Sequence, residues 1–111
     1  MLTIEGLKDY GADIDEGLKR CVNNQAFYLK MVEKAAGDQT SGKLTAAIEA
    51  GQLDEAFEAA HALKGSTGNL ALTPLYEPIL AITELLRART DTDYSALLSE
   101  AKVQFDALCS L

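Results

Sequence analysis

The stretch "LDEAFEAAHALKGSTGNL", residues 53–70, decides the fold class. Leu53, Ala56, Ala60, Leu63, Thr67 and Leu70 recur at alternating intervals of three and four, the period of a helix face turned toward a core. The period runs unbroken through Gly65 and Gly68, although an interior helix glycine costs ~1 kcal/mol relative to alanine. A segment that keeps its core pattern across two poor helix formers carries them for a reason other than folding.

Outward from this central helix the pattern stays helical, and no convincing period-two strand occurs. Toward the N-terminus, Asp38 can cap a segment carrying Leu44, Ala47 and Ile48 that Gly51 terminates. Before it, Asn24 is the N-cap expected for a helix over 25–36, with Phe27, Met31, Val32 and Ala35 as its apolar stripe; Gly37 either ends or weakens that helix. Two short helices come first, over 4–10, closed by Gly11, and over 14–22, capped by Asp13. On the C-terminal side, Thr73 followed by Pro74 reads as an N-cap with proline at the first helical position. The helix that follows has Leu75, Ile79, Ile82, Leu85 and Leu86 as its stripe, and Pro78 either kinks it or delays its regular part. A last helix over 93–108 carries Tyr94, Leu97, Ala101, Phe105 and Leu108. The expected fold is all-α: an antiparallel four-helix bundle with two short N-terminal helices at one end, residues 1–111 forming one domain.

Composition narrows the function classes. The chain has 111 residues, 48% of them apolar and 24% charged, which suits a folded domain with its own core. A formal net charge of -7 leaves no basic stripe to neutralise phosphates, so a nucleic-acid partner is not expected. No apolar run is long enough to span a membrane, and no basic segment leads into one, so neither insertion nor a signal peptide is expected. Cys21 and Cys109 lie far apart among apolar residues, which reads as two free buried thiols in the cytoplasm.

The central helix holds the chain's single histidine, His61. At about 100° per residue it lies roughly 120° from the centre of the core face, on the flank. Lys64, Gly65 and Gly68 fall on the same strip, Asp54 and Glu58 extend it toward the N-terminus, and Phe57 marks its border with the core. Zinc needs more ligands than one imidazole and scattered carboxylates provide, so no metal site is expected. Ser66 points about 140° away from His61, which rules against a nucleophile activated by the histidine. What remains is the imidazole itself as nucleophile, with a lysine one turn away to stabilise an anion placed on it. An imidazole with its ordinary pKa of ~6.5 is mostly neutral at pH 7, and a phosphoryl group suits such a pair. The missing Cβ atoms at Gly65 and Gly68 would let another protein come close.

"HALKGSTGNLAL", residues 61–72, resembles the signature of histidine-containing phosphotransfer (HPt) domains: the histidine, a hydrophobic residue two on, Lys-Gly, then a small residue at i+7. "DIDEGLKRCVNNQAFYLKMVEKAAGD", residues 13–38, is similar to the opening segment of HPt domains attached to hybrid sensor kinases, and "AIEAGQLDEAFEAAHALKG" has the family's spacing up to the histidine. The resemblance implies a phosphorelay intermediate without kinase activity of its own. His61 would take a phosphoryl group, usually on Nε2, from the aspartyl phosphate of a receiver domain in a hybrid sensor kinase, and pass it to a response regulator. Lys64 would contact the phosphoryl oxygens, and Gly65 would leave room for the receiver. Gly68 would keep the docking surface flat, with Asp54, Phe57 and Glu58 beside it. The chain would need no cofactor, since Mg²⁺ would sit on the partner receiver, and in isolation it would be a monomer. Many members have glycine directly after the "NL" pair, where this chain has Ala71. Two other classes fit the same residues: a non-catalytic helical adaptor that docks a receiver, and the phosphoacceptor domain of a chemotaxis-type kinase.

Overall fold

The computed structural model describes residues 2–111, which form seven helices and no strand. These are α1 (Ile4–Tyr10), α2 (Ile14–Arg20), α3 (Gln25–Ala36), α4 (Thr40–Glu49), α5 (Leu53–Asn69), α6 (Thr73–Arg87) and α7 (Ser95–Cys109). Helix α5 packs against both α4 and α6, α7 lies along α6, α3 closes onto α7, and α1 and α2 bridge the ends of α7 and α3. Residues face each other across α5 and α6 in reversed order, Gly68 with Tyr76, Lys64 with Glu84 and Phe57 with Arg87, so this pair is antiparallel. Short connections at 50–52 and 70–72 make the neighbours antiparallel hairpins, and the architecture is the expected helical bundle.

The seam read from α5 is the one buried: Ala56, Ala60, Leu63, Thr67 and Leu70 all face the core. They meet Leu44 of α4 and Leu75, Ile79, Ile82 and Leu86 of α6, while Ala101, Phe105 and Leu108 close the core from α7. Two threonines lie in this apolar interior, and each satisfies its hydroxyl one turn back. Thr67 Oγ1 donates to Leu63 O at 2.7 Å and Thr83 Oγ1 to Ile79 O at 2.7 Å.

Several local expectations change. In α3 the buried residues are Tyr28 and Val32, whereas Phe27 is 46% exposed. The helix is rotated by about one residue because Tyr28 finds an interior partner for its hydroxyl, the Leu70 carbonyl at 2.8 Å. Helix α2 stops at Arg20 instead of residue 22, where Val22 and Asn23 turn the chain at positive φ. Gly37 ends α3, so 25–49 is two helices, not one. Asp38 sits one residue before the N-cap of α4 and accepts from Thr40 N at 2.9 Å and Thr40 Oγ1 at 2.6 Å, which holds its carboxyl below the usual range. Asp93 does the same for Ser95, so α7 begins two residues later than expected.

Thr73 is the first residue of α6 and not its cap; its hydroxyl reaches back to Ala71 O. Pro78 is buried inside an uninterrupted α6; its missing N–H leaves the Pro74 carbonyl, in the first turn, without its helical donor. Both cysteines are free, but only Cys21 is buried; Cys109 is exposed in the last turn of α7, its thiol on Ala36 O.

Candidate functional site around His61

Helix α5 is built to end cleanly beyond the histidine. Its last carbonyls would be orphaned, and residues from the N-terminal segment take them. Arg20 Nη1 donates to Gly68 O at 2.7 Å, Tyr28 Oη to Leu70 O at 2.8 Å and Asp13 N to Ala71 O at 2.9 Å. Arg20, held by Glu16 at 3.0 Å, also sets a cation at the negative end of the helix dipole. Ala71 takes the left-handed conformation, φ 54°, and Leu72 N closes on Thr67 O at 2.9 Å. An alanine therefore stands where glycine would fit without strain, and the helix still ends there.

His61 projects from the middle of α5 into solvent. Its ring stacks on Phe57, one turn earlier, with centroids 5.7 Å apart and planes 21° from parallel. Among the described residues neither ring nitrogen has a hydrogen-bond partner, so the stack alone orients the imidazole and both nitrogens stay open. Phe57 is held in turn by Arg87 of α6, whose guanidinium carbon lies 5.2 Å from the ring centroid.

Lys64 stands one turn beyond His61, partly covered, with its Nζ 3.8 Å from Glu84 Oε1. The other oxygen of Glu84 meets Arg87 Nε at 3.5 Å. Lys64, Glu84, Arg87, Phe57 and His61 thus form one continuous set across α5 and α6. At Gly65 a Cβ would meet no atom within 4 Å, so the glycine opens onto free space beside the histidine. Gly68 lies against α6. A Cβ there would lie 3.0 Å from Tyr76 Cε1, so the missing side chain makes room for an α6 ring. Asp54 and Glu58 are both exposed on the expected strip, and Asp54 is paired with Arg89 just past α6.

Tyr76, Glu84, Arg87 and Arg89 do not stand out in the sequence as site residues. Tyr76, Glu84 and Arg87 share the period of one α6 face, but that signal names a face and not the helix it meets. On the other flank of α5 an open groove of about 1120 Å³ runs past Ser66 and Asn69, with Phe27, Met31 and Lys34 of α3 on its far wall. No helix among the described residues is long and apolar enough to cross a membrane, and no cluster of three or more His, Cys, Asp or Glu could hold a metal ion.

The arrangement offers an imidazole with both nitrogens open, a cation one turn away, and clear space over Gly65. The sequence model of the Hpt domain matches residues 31–110. That span takes in His61 and every α5 and α6 residue around it, while α1, α2 and the start of α3 precede it. No curated protein and no solved structure matches the chain.

Proposed function

Because this chain belongs to the Hpt domain family, phosphorelay components of two-component signalling that act on receiver domains, we propose that His61 is its phosphoacceptor. The observation that carries the proposal is the exposed imidazole, both nitrogens open, standing one turn from the clear space over Gly65. In the forward step the Nε2 lone pair attacks the phosphorus of a receiver's aspartyl phosphate. A P–N bond forms as the P–O bond to the aspartate breaks, and the carboxylate leaves with the bonding pair. Nδ1 keeps its proton, so the ring takes up the positive charge. In the second step the aspartate carboxylate of a response regulator attacks phosphorus, the P–N bond breaks, and Nε2 recovers its lone pair.

Phosphoryl transfer asks for positioning and charge stabilisation, and the residues divide along those lines. Phe57 fixes the ring, Lys64 meets the phosphoryl oxygens, and Gly65 leaves clearance for the receiver, which brings its own Mg²⁺. Asp54 and Glu58 border the docking face on one side, and the groove beside Ser66 and Asn69 extends it on the other. The receivers are those of a hybrid sensor kinase and its regulator, the setting is the cytoplasm, and residues 1–111 act as one monomeric unit. The test is transfer of label from a phosphorylated receiver. We expect acid-labile label on the parent chain and none on His61→Gln, with helical content unchanged by circular dichroism. Label persisting on that variant would sink the assignment; receiver binding without label on the parent would favour an adaptor.

A further inference from the structure

Resting on His61 as phosphoacceptor, we infer that Glu84 is a positioning residue, a resident counterion that holds the Lys64 ammonium in the unphosphorylated chain and cedes it to the phosphoryl group. The carboxylate of Glu84 spans two cations, Lys64 through Oε1 at 3.8 Å and Arg87 through Oε2 at 3.5 Å. Glu84 and Arg87 are about half exposed, and such pairs are weak and readily exchanged. A phosphoryl dianion on Nε2 arrives one helical turn from Lys64 and offers the ammonium a stronger, charge-assisted partner. When Lys64 leaves, Glu84 keeps Arg87, so no carboxylate is stranded. Arg87 keeps its place over Phe57, and Phe57 keeps the imidazole oriented.

The consequence is a lifetime. Phosphohistidine is lost to water when a water oxygen attacks phosphorus and the P–N bond breaks. The bonding pair returns to Nε2, and the water's proton goes to the released phosphate or the solvent. Away from a receiver and its Mg²⁺, the Lys64 ammonium is the cation one turn from the bound dianion, and its charge-assisted contact with the phosphoryl oxygens stabilises the phosphorylated chain. Glu84 competes for that cation and shortens the time the group stays on nitrogen.

The experiment uses the full chain and phosphoramidate, which donates its phosphoryl group with release of ammonia and needs no receiver. Decay is followed by ³¹P NMR for the parent, Glu84→Gln, Glu84→Asp, Lys64→Ala and Lys64→Ala/Glu84→Gln. We expect Glu84→Gln to lengthen the lifetime roughly two- to fivefold, the range an exposed ion pair controls. Molar salt should shrink that gain, and Glu84→Asp should stay near the parent. In the Lys64→Ala background the glutamine should change nothing. An unchanged or shortened lifetime in Glu84→Gln, or the same gain without Lys64, overturns the inference while leaving His61 as acceptor. No phosphohistidine signal in any variant overturns the phosphoacceptor assignment and this inference with it.

Discussion

Gly65 sits in the interior of α5 with φ in the ordinary helical range, and a Cβ built on it meets nothing within 4 Å. Alanine there should therefore stabilise the free protein by the helix-propensity difference, ~1 kcal/mol, since no contact opposes it. For a domain of this size that corresponds to a rise in melting temperature of roughly 4 °C. The same side chain should hinder a receiver. Added methylenes in a close-packed contact cost ~1–3 kcal/mol, which for Gly65→Gln predicts a fall in transfer rate of roughly five- to 150-fold. Alanine should fall between parent and glutamine in rate while exceeding the parent in stability. Gly68 is the control: its Cβ would press on Tyr76 Cε1 at 3.0 Å, so Gly68→Ala should give less stabilisation or none. Calorimetry and a quenched-flow transfer assay read the two quantities on the same proteins. Lower stability for Gly65→Ala would refute the open-space argument. A parental transfer rate for Gly65→Gln would show that no partner comes close there.

Three further outcomes concern the N-terminal segment that ties down α5. Tyr28→Phe leaves the buried Leu70 carbonyl without its 2.8 Å donor and should cost about 1–3 kcal/mol by urea denaturation; an unchanged midpoint would remove this bond from the account. Burial pushes the Tyr10 and Tyr28 phenols up from 10.0 to about 12, so the unfolded chain ionises first; stability should be full below pH 10 and fall between pH 10 and about 12, less steeply in Tyr28→Phe. Gly17→Ala places a Cβ 2.6 Å from Tyr28 Cε1 and should destabilise the fold despite the gain in helix propensity, and a raised melting temperature would mean the ring yields.

Much of this was legible in the residues, for a physical reason. The core face of α5 has a period that no loop or strand shares, so Ala56, Ala60, Leu63, Thr67 and Leu70 could be assigned to the interior before any coordinates. His61 then had to lie on the flank, because the same 100° rotation that buries Leu63 exposes it. Facing of one helix by another was not legible. Phe27 and Tyr28 are adjacent aromatics, and only the position of the Leu70 carbonyl decides which one turns inward. Glu84 and Arg87 reach the site through the register of α6 against α5, which no period within α6 encodes. Gly65 and Gly68 looked alike in sequence and are opposites in space, one open and one covered by Tyr76.

The weakness built into α5 and the strength of its end belong together. Two interior glycines and a left-handed Ala71 all disfavour the second half of this helix, each by on the order of 1 kcal/mol. That half nevertheless keeps its period, because Arg20, Tyr28 and Asp13 bond the carbonyls of Gly68, the C-cap Leu70 and the following Ala71, and Leu70 and Leu72 are buried beneath them. The three donors all precede residue 31, where the family match begins, while the glycines fall inside it. The arm outside the matched span thus supplies the order that the histidine helix gives up at Gly65. Tyr10 Oη ties the same arm to Gln104 O of α7 at 3.2 Å, but the Arg20, Tyr28 and Asp13 bonds all end at residues 68–71; breaking those three should raise amide hydrogen exchange in the turn carrying Lys64 and Gly65 before the α6–α7 half of the bundle.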